Sequence, residues 1–167
     1  MILDCLSKRY SCRAYKNKPV EEWKIKNLIE AVRVSPSAKN NQSWKLVLLQ
    51  SKEKLEGLKT VCKQDFPAQA PLVIAVCCNN LEKIMTCGQP AYLADGFSAT
   101  MSLLIQATAE NLGSCWLGAF DQQKIAKLIN LPQDHQVVSL VTIGYPDDKL
   151  TEKKRKSLQE ITFYNSF

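Results

Sequence analysis

Apolar residues recur with a helical period in VEEWKIKNLIEAVRVSPSA, where Ile25, Leu28, Ile29 and Val32 fall at i, i+3, i+4 and i+7. Acids occupy the first turn, and Ser35-Pro36 supplies the stop. WKLVLLQ and LVIAVCC are short runs rich in Val, Ile and Leu, bounded by polar residues, and predict strands. Between them KEKLEGLKTVCK predicts a modest amphipathic helix. The longest helix is predicted from Ala91 to Leu112, about 33 Å if continuous. Its apolar residues (Leu93, Phe97, Met101, Leu104, Ile105, Leu112) spread around the wheel, which predicts burial on most sides. Gly113 is placed to end it as a C′ glycine. CWLGAF follows as a strand or tight turn, QQKIAKLINL as a helix and VVSLVTIGY as a buried strand. Taken alone, this alternation predicts an α/β fold with a parallel sheet. No repeat, low-complexity tract or linker interrupts the pattern, so residues 1–167 are expected to form a single domain.

A chain of 167 residues can bury one substantial core without disulfide or metal staples. The seven cysteines agree with that, because their number is odd and no CxxC spacing occurs; neither a disulfide framework nor a zinc site is signalled. Cys77 and Cys78 adjoin on a predicted strand and so point to opposite faces, which excludes a redox couple. Buried thiols acting as small hydrophobes are the expected role, with Cys87 or Cys115 as the alternative reactive candidates. No apolar run approaches the ~20 residues that span a bilayer, and the N-terminus lacks a signal-peptide core. A cytoplasmic protein with no membrane partner is expected.

The formal net charge of +6 favours anionic partners, but it is too diffuse to imply nucleic acid. No recognition motif or aromatic stacking platform supports a nucleic-acid binder. Four polar segments are more specific. In RYSCRAY, Arg9, Ser11 and Arg13 alternate, so an extended backbone puts two guanidinium forks and a hydroxyl on one side. Such a set suits phosphate and carbonyl acceptors, although a solvated basic edge has the same spacing. SPSAKNNQSW is a run of hydroxyl and amide side chains, suited to a heterocycle's polar edge or to an ordinary polar loop. LGSCWLGAF carries Gly113 and Gly118, which allow close backbone approach to a flat ligand or a plain turn. KKRK, Lys153 to Lys156, is a basic cluster near the C-terminus.

In their order and spacing these segments resemble the FMN-dependent nitroreductase family, in its short, single-domain form. The resemblance rests on RYSCRAY, Pro19-Val20, SPSAKNNQSW, APLVIAV, Asp95 in YLADGFSA, NLGSCWLGAF and IGYPDDKLTEKKRKSLQE, and runs from about residue 5 to residue 161. It implies an α+β three-layer sandwich with a mixed, mainly antiparallel central sheet flanked by helices. It also implies FMN as cofactor, with NADH or NADPH as co-substrate, and a homodimer with the flavin site at the subunit interface. Arg9, Tyr10, Ser11 and Arg13 match the first flavin-contacting segment, Arg9 toward the phosphate and ribityl region and Arg13 toward the N1–O2 edge. Pro36, Ser37 and Asn40 match a loop that reaches the flavin from the partner subunit. Leu117 and Gly118 match the backbone near N5, and Lys153 and Arg155 the pair that holds the phosphate.

The implied activity is hydride transfer from NAD(P)H through flavin N5 to a nitroaromatic, quinone or other small oxidant, in alternating half-reactions. No protein catalytic residue is required, because the flavin carries the redox chemistry while Arg13 tunes it. The alternative is a flavin-binding or flavin-transforming protein of the same fold without nitroreductase activity. His135, the only histidine, lies outside every motif. The chain departs from the family pattern at Tyr10, where a second basic residue is common, at Ala38 for Ser, and at Ser43 for Pro. Leu117 stands where larger members have an acid. The insertions that cover the active site in those members are absent, so substrate preference is not inherited.

Overall fold

The computed structural model describes residues 1–149 and 153–167. Helices α1 (Asp4–Lys8), α2 (Glu22–Arg33), α3 (Lys52–Cys62), α4 (Ala91–Ala109), α5 (Gln122–Leu128) and α6 (Leu158–Ile161) surround strands β1 (Trp44–Leu49), β2 (Leu72–Cys78), β3 (Gly113–Leu117) and β4 (Gln136–Gly144). The strands form one sheet in the order β1-β2-β4-β3. Every pairing of these strands is antiparallel. The parallel sheet expected from alternation is therefore wrong, and the mainly antiparallel sandwich expected from the resemblance is right. Periodicity reports which residues face a core and carries no information on strand direction. Among the described residues, one parallel bridge, Ser11 to Ser114, makes the sheet mixed at its β3 edge.

Strand β2 lies inside the sheet, and all seven of its residues are buried. Its alternate side chains feed two cores. Leu72, Ile74, Val76 and Cys78 pack with Ile25, Leu28 and Val32 of α2 and Leu103, Leu104 and Ala107 of α4. Val73, Ala75 and Cys77 pack on the other face with Leu58 and Val61 of α3, Ile125 of α5, and Cys12 and Tyr15. Each fully buried aliphatic side chain contributes roughly 1.5–3 kcal/mol, so the two cores fix the three layers. Ile29, fourth in the α2 pattern, stays 39% exposed.

Helix α4 departs from its expected burial. Its buried residues include Asp95, Gly96, Ala99, Leu103 and Ala107, while Phe97 and Met101 remain 45% and 43% exposed. A wide apolar arc predicts a covered helix, but within one chain the sheet and α2 reach only one flank. Its C-terminus also differs from expectation. Asn111, not Gly113, takes the left-handed conformation at φ 58°, with Leu112 N–H donating to Ala107 O and Asn111 N–H to Thr108 O. This is a Schellman closure, in which Asn replaces the usual glycine. Gly113 instead opens β3, where an added Cβ would lie 2.6 Å from Cys12 Sγ. The glycine there permits a close approach of two segments. Among the described residues, no helix is long and apolar enough to cross a membrane.

Close packing also sets the α4–β4 contact, because a Cβ on Gly96 would stand 2.7–2.8 Å from the Val138 side chain. Gly96→Ala is expected to lower stability by about 1–3 kcal/mol despite its better helix propensity. Val138→Ala in the same background should recover part of that loss. Urea midpoints of the two variants and the wild type check this.

Candidate functional site

After α1 the chain runs extended along the β3 edge. Cys12 N–H donates to Ser114 O (3.0 Å), Lys16 N–H to Tyr145 O (2.9 Å), and Asp147 N–H to Ala14 O (2.9 Å). These bonds lace residues 12–16 between the start of β3 and the end of β4. Alternation separates Cys12 from Ser11 and Arg13 on either side of it, but does not extend to Tyr10, which lines the same cavity as Arg9, or to Tyr15, which turns inward. Cys12 and Tyr15 enter the core, and Arg9, Ser11 and Arg13 face outward together. The chain returns on the same side: Lys153 Nζ donates to Arg9 O (2.9 Å) and to Ser7 O. Arg9, Tyr10, Ser11, Arg13, Lys153 and Arg155 thus enclose one cavity of about 200 Å³. Four of these six side chains are cations and none is an acid. Across the Ser11 bridge, the Ser114 hydroxyl is buried without a partner among the described residues.

Asp148 organises this cavity from behind and was not singled out in the sequence, where it reads as one of two acids in a polar turn. Its Oδ1 accepts from the Tyr10 hydroxyl (2.7 Å) and the Cys12 thiol (3.2 Å), and its Oδ2 from Arg13 N–H (2.8 Å). Tyr10, the departure from a basic residue, therefore commits its hydroxyl to Asp148. Burial alone would raise the Asp148 carboxyl, but the Arg13 N–H, the Tyr10 hydroxyl and the Cys12 thiol outweigh it and hold it below the usual range. Burial pushes the Cys12 thiol up to about 11, reinforced by Asp148. The Cys115 thiol is also raised by burial, although Arg13, Ser11 and Arg9 pull against the shift. Neither supplies a thiolate at neutral pH. Cys87 is exposed.

Pro36, Ser37 and Asn40 are not part of this cavity. They lie in the loop that leads into β1, at the opposite edge of the sheet, three strand spacings or roughly 14 Å from β3. That loop is held in an unusual shape. Lys39, Asn40 and Gln42 have φ of 54°, 55° and 50°, a conformation that Asn tolerates but that costs about 1–2 kcal/mol each for Lys39 and Gln42. Gln42 N–H donates to Ser37 Oγ (3.0 Å), and Gln42 Nε2 donates to Asn40 Oδ1 (3.2 Å). Asp95, 1% exposed, anchors the loop to α4. Its Oδ1 accepts from Ala38 N–H and its Oδ2 from Ser43 Oγ, both at 2.8 Å. Ser43, where the family pattern has Pro, thus supplies the second partner that a buried carboxylate needs.

Leu117 is buried at the end of β3, and Gly118 follows it exposed. A Cβ at Gly118 would meet nothing within 4 Å, so open space lies over this backbone. The donor set fits the flavin the resemblance implies. A cavity of about 200 Å³ ringed by guanidinium, ammonium and hydroxyl groups matches a phosphate, and the open backbone at Gly118 admits a flat ring.

The Asp148 contacts make stability depend on pH. A carboxyl held low in the folded chain stabilises it fully above the unfolded value of about 3.9, and this is lost as pH falls through the folded value. Asp148→Asn is expected to cost about 1–3 kcal/mol at pH 7. It should also flatten the decline of stability below about pH 4. Thermal melts of both proteins from pH 2 to pH 7 measure the difference.

A family model described as the Nitroreductase family matches residues 6–64 and 56–145. The crystal structure of a nitroreductase family protein from Clostridium difficile 630 superposes with a TM-score of 0.88 at 27% identity, covering 98% of this chain and 97% of that one. The FMN-dependent nitroreductase of Clostridium difficile R20291 superposes with a TM-score of 0.82 at 26% identity, covering 98% of each chain. The FMN reductase [NAD(P)H] of Bacillus subtilis is 26% identical over 184 residues, 99% of this chain and 74% of that protein. With the family model spanning most of the sequence and the fold shared from end to end, the chain belongs to the Nitroreductase family.

Proposed function

We propose that the protein is an FMN-dependent oxidoreductase that takes reducing equivalents from NADH or NADPH and passes them to a small organic oxidant. The observation that carries this reading is the meeting of two distant segments at one cavity, where Arg9, Arg13, Lys153 and Arg155 gather and no acid is among the described lining residues. Four like charges held so close repel one another, and a phosphate dianion offsets that repulsion while accepting charge-assisted hydrogen bonds from Arg9, Lys153 and Arg155. The Ser11 hydroxyl adds a neutral donor. Gly118 leaves its face free for the ring.

When bound, the flavin supplies two-electron hydride chemistry at N5, with NAD(P)H and the oxidant taking turns at one open face. Arg13 provides a fixed cation for the N1–O2 edge, where negative charge accumulates on reduction. At an effective dielectric of ~20, a charge ~4 Å away is worth ~4 kcal/mol, enough to raise the potential of the bound cofactor. Pro36, Ser37 and Asn40 lie at the other edge of the sheet from the Arg9 cavity and do not line it, and in this reading they serve the flavin of a second copy. A homodimer also accounts for the exposed apolar surface: Trp23 on α2, Phe97 and Met101 on α4, and Leu158, Ile161, Phe163, Tyr164 and Phe167 along the C-terminal tail. So much large apolar surface left bare on one chain marks an interface.

Arg9→Ala and Arg155→Ala are each expected to weaken FMN binding about tenfold to a hundredfold, the loss of one charge-assisted contact, while leaving the apoprotein's melting temperature nearly unchanged. Equilibrium dialysis with FMN measures the first effect, and full flavin retention by both variants would overturn the phosphate assignment. Tight flavin binding without bleaching by NADH or NADPH would favour a flavin-binding or flavin-transforming role instead. Light scattering is expected to give twice the chain mass, and removal of residues 158–167 to shift it toward the monomer.

A further inference from the structure

A second cavity, of about 430 Å³, lies at the other end of the molecule from the Arg9 site. One wall is the strained loop, through Ala38 and Lys39, and the other is the segment between β2 and α4, through Lys83, Ile84, Met85, Thr86 and Cys87. That second wall is a small built hairpin. Ile84 bridges Pro90, Met85 N–H donates to Gln89 O (2.8 Å), and Gly88 N–H donates to Met85 O (2.8 Å) at a turn where Gly88 takes φ 85°. Ala91 N–H donates to Lys83 O (2.9 Å), which fixes the hairpin to the start of α4. Asp95 anchors the opposite wall through Ala38. Both walls are therefore tied to the same helix.

The cavity's chemistry is two-part. Ala38, Ile84 and Met85 give it an apolar body, and Lys39 and Lys83 are its only charged members. Among the described residues, neither lysine forms an ion pair. The acids nearby do not neutralise them: Glu82, next in sequence to Lys83, is not part of the wall, and both Asp95 oxygens are taken by Ala38 and Ser43. We infer that this cavity binds the apolar ring of a small organic anion, with its carboxylate between Lys39 and Lys83. Pockets of this size hold ring compounds with a few placed polar groups. Because Asn40 adjoins Lys39, the inference deepens the proposed function and rests on it in one respect: if the loop reaches the partner's flavin, this anion is the oxidant. The hairpin then sets a preference for anionic over neutral oxidants.

The probes are 4-nitrobenzoate and nitrobenzene, which share a ring and a nitro group and differ by a carboxylate. Calorimetric titration of the protein as purified tests the cavity without relying on turnover. 4-Nitrobenzoate is expected to bind at least tenfold more tightly than nitrobenzene, weakening with salt. Lys39→Gln and Lys83→Gln should each remove most of that advantage. In NADH-driven assays, where hydride and a proton reduce the nitro group to nitroso and water, the same variants should lower the ratio of kcat/KM for 4-nitrobenzoate over nitrobenzene about tenfold. Equal binding of the two probes, or lysine variants that leave the ratio unchanged, would overturn the inference. So would variants that raise the KM for NADPH but not NADH, which would assign the lysines to a nucleotide phosphate. If FMN is not bound but the calorimetric preference and its loss in the variants hold, the cavity stands and the flavin reading falls.

Discussion

Arg9, Arg13, Lys153 and Arg155 are forced to share one small cavity, and the rest of the site follows from how the chain holds them there. Each would be more stable alone in water, so covalent and hydrogen-bonded structure must keep them together. Lacing of residues 12–16 to β3 and β4 fixes Arg9 and Arg13 from one side. The Lys153 ammonium, reaching carbonyls of Ser7 and Arg9, brings in the other side. Asp148, close behind, spends both oxygens on the frame of the cavity rather than on the cations. Among the described residues none of the four cations forms an ion pair, which suits them to an anion from outside.

The fold serves that arrangement through its antiparallel sheet. With β3 and β1 at opposite edges, one chain presents a cationic cavity at one edge and a strained polar loop at the other. In the proposed homodimer, a two-fold axis would bring the loop of each copy to the cavity of the other. The bare apolar flank of α4 and the exposed tail belong to the same logic, because a helix that reads as buried in sequence stays half-covered in one chain.

Much of this was legible in the sequence. The alternation in RYSCRAY put Arg9, Ser11 and Arg13 on one side, and the folded chain places them there beside Lys153 and Arg155. Element positions followed from period alone, since burial of Ile25, Leu28 and Val32 or of the whole of β2 is what periodicity encodes. Strand direction was not legible, because a buried strand reads the same either way. Asn111 displaced Gly113 as the α4 cap because either residue tolerates the left-handed region, and only the close approach of Cys12 explains the glycine. Asp148 went unnoticed because its partners, Tyr10, Cys12 and Arg13, are more than 130 positions away. Lys39 and Lys83 carried no local pattern and met only through tertiary folding. Leu150 to Glu152, just before the KKRK cluster in the basic tail, lie outside the described residues.

The central claim is that an anionic tail of a flavin occupies the cavity between the two chain ends. A crystal structure of the protein grown with FMN tests it most directly. The account predicts the phosphate within about 2.7–3.0 Å of the Arg9 and Arg155 guanidinium groups, with the ring passing over Gly118. Phosphate density at Lys39 and Lys83 instead, or a flavin clear of both chain ends, would contradict it.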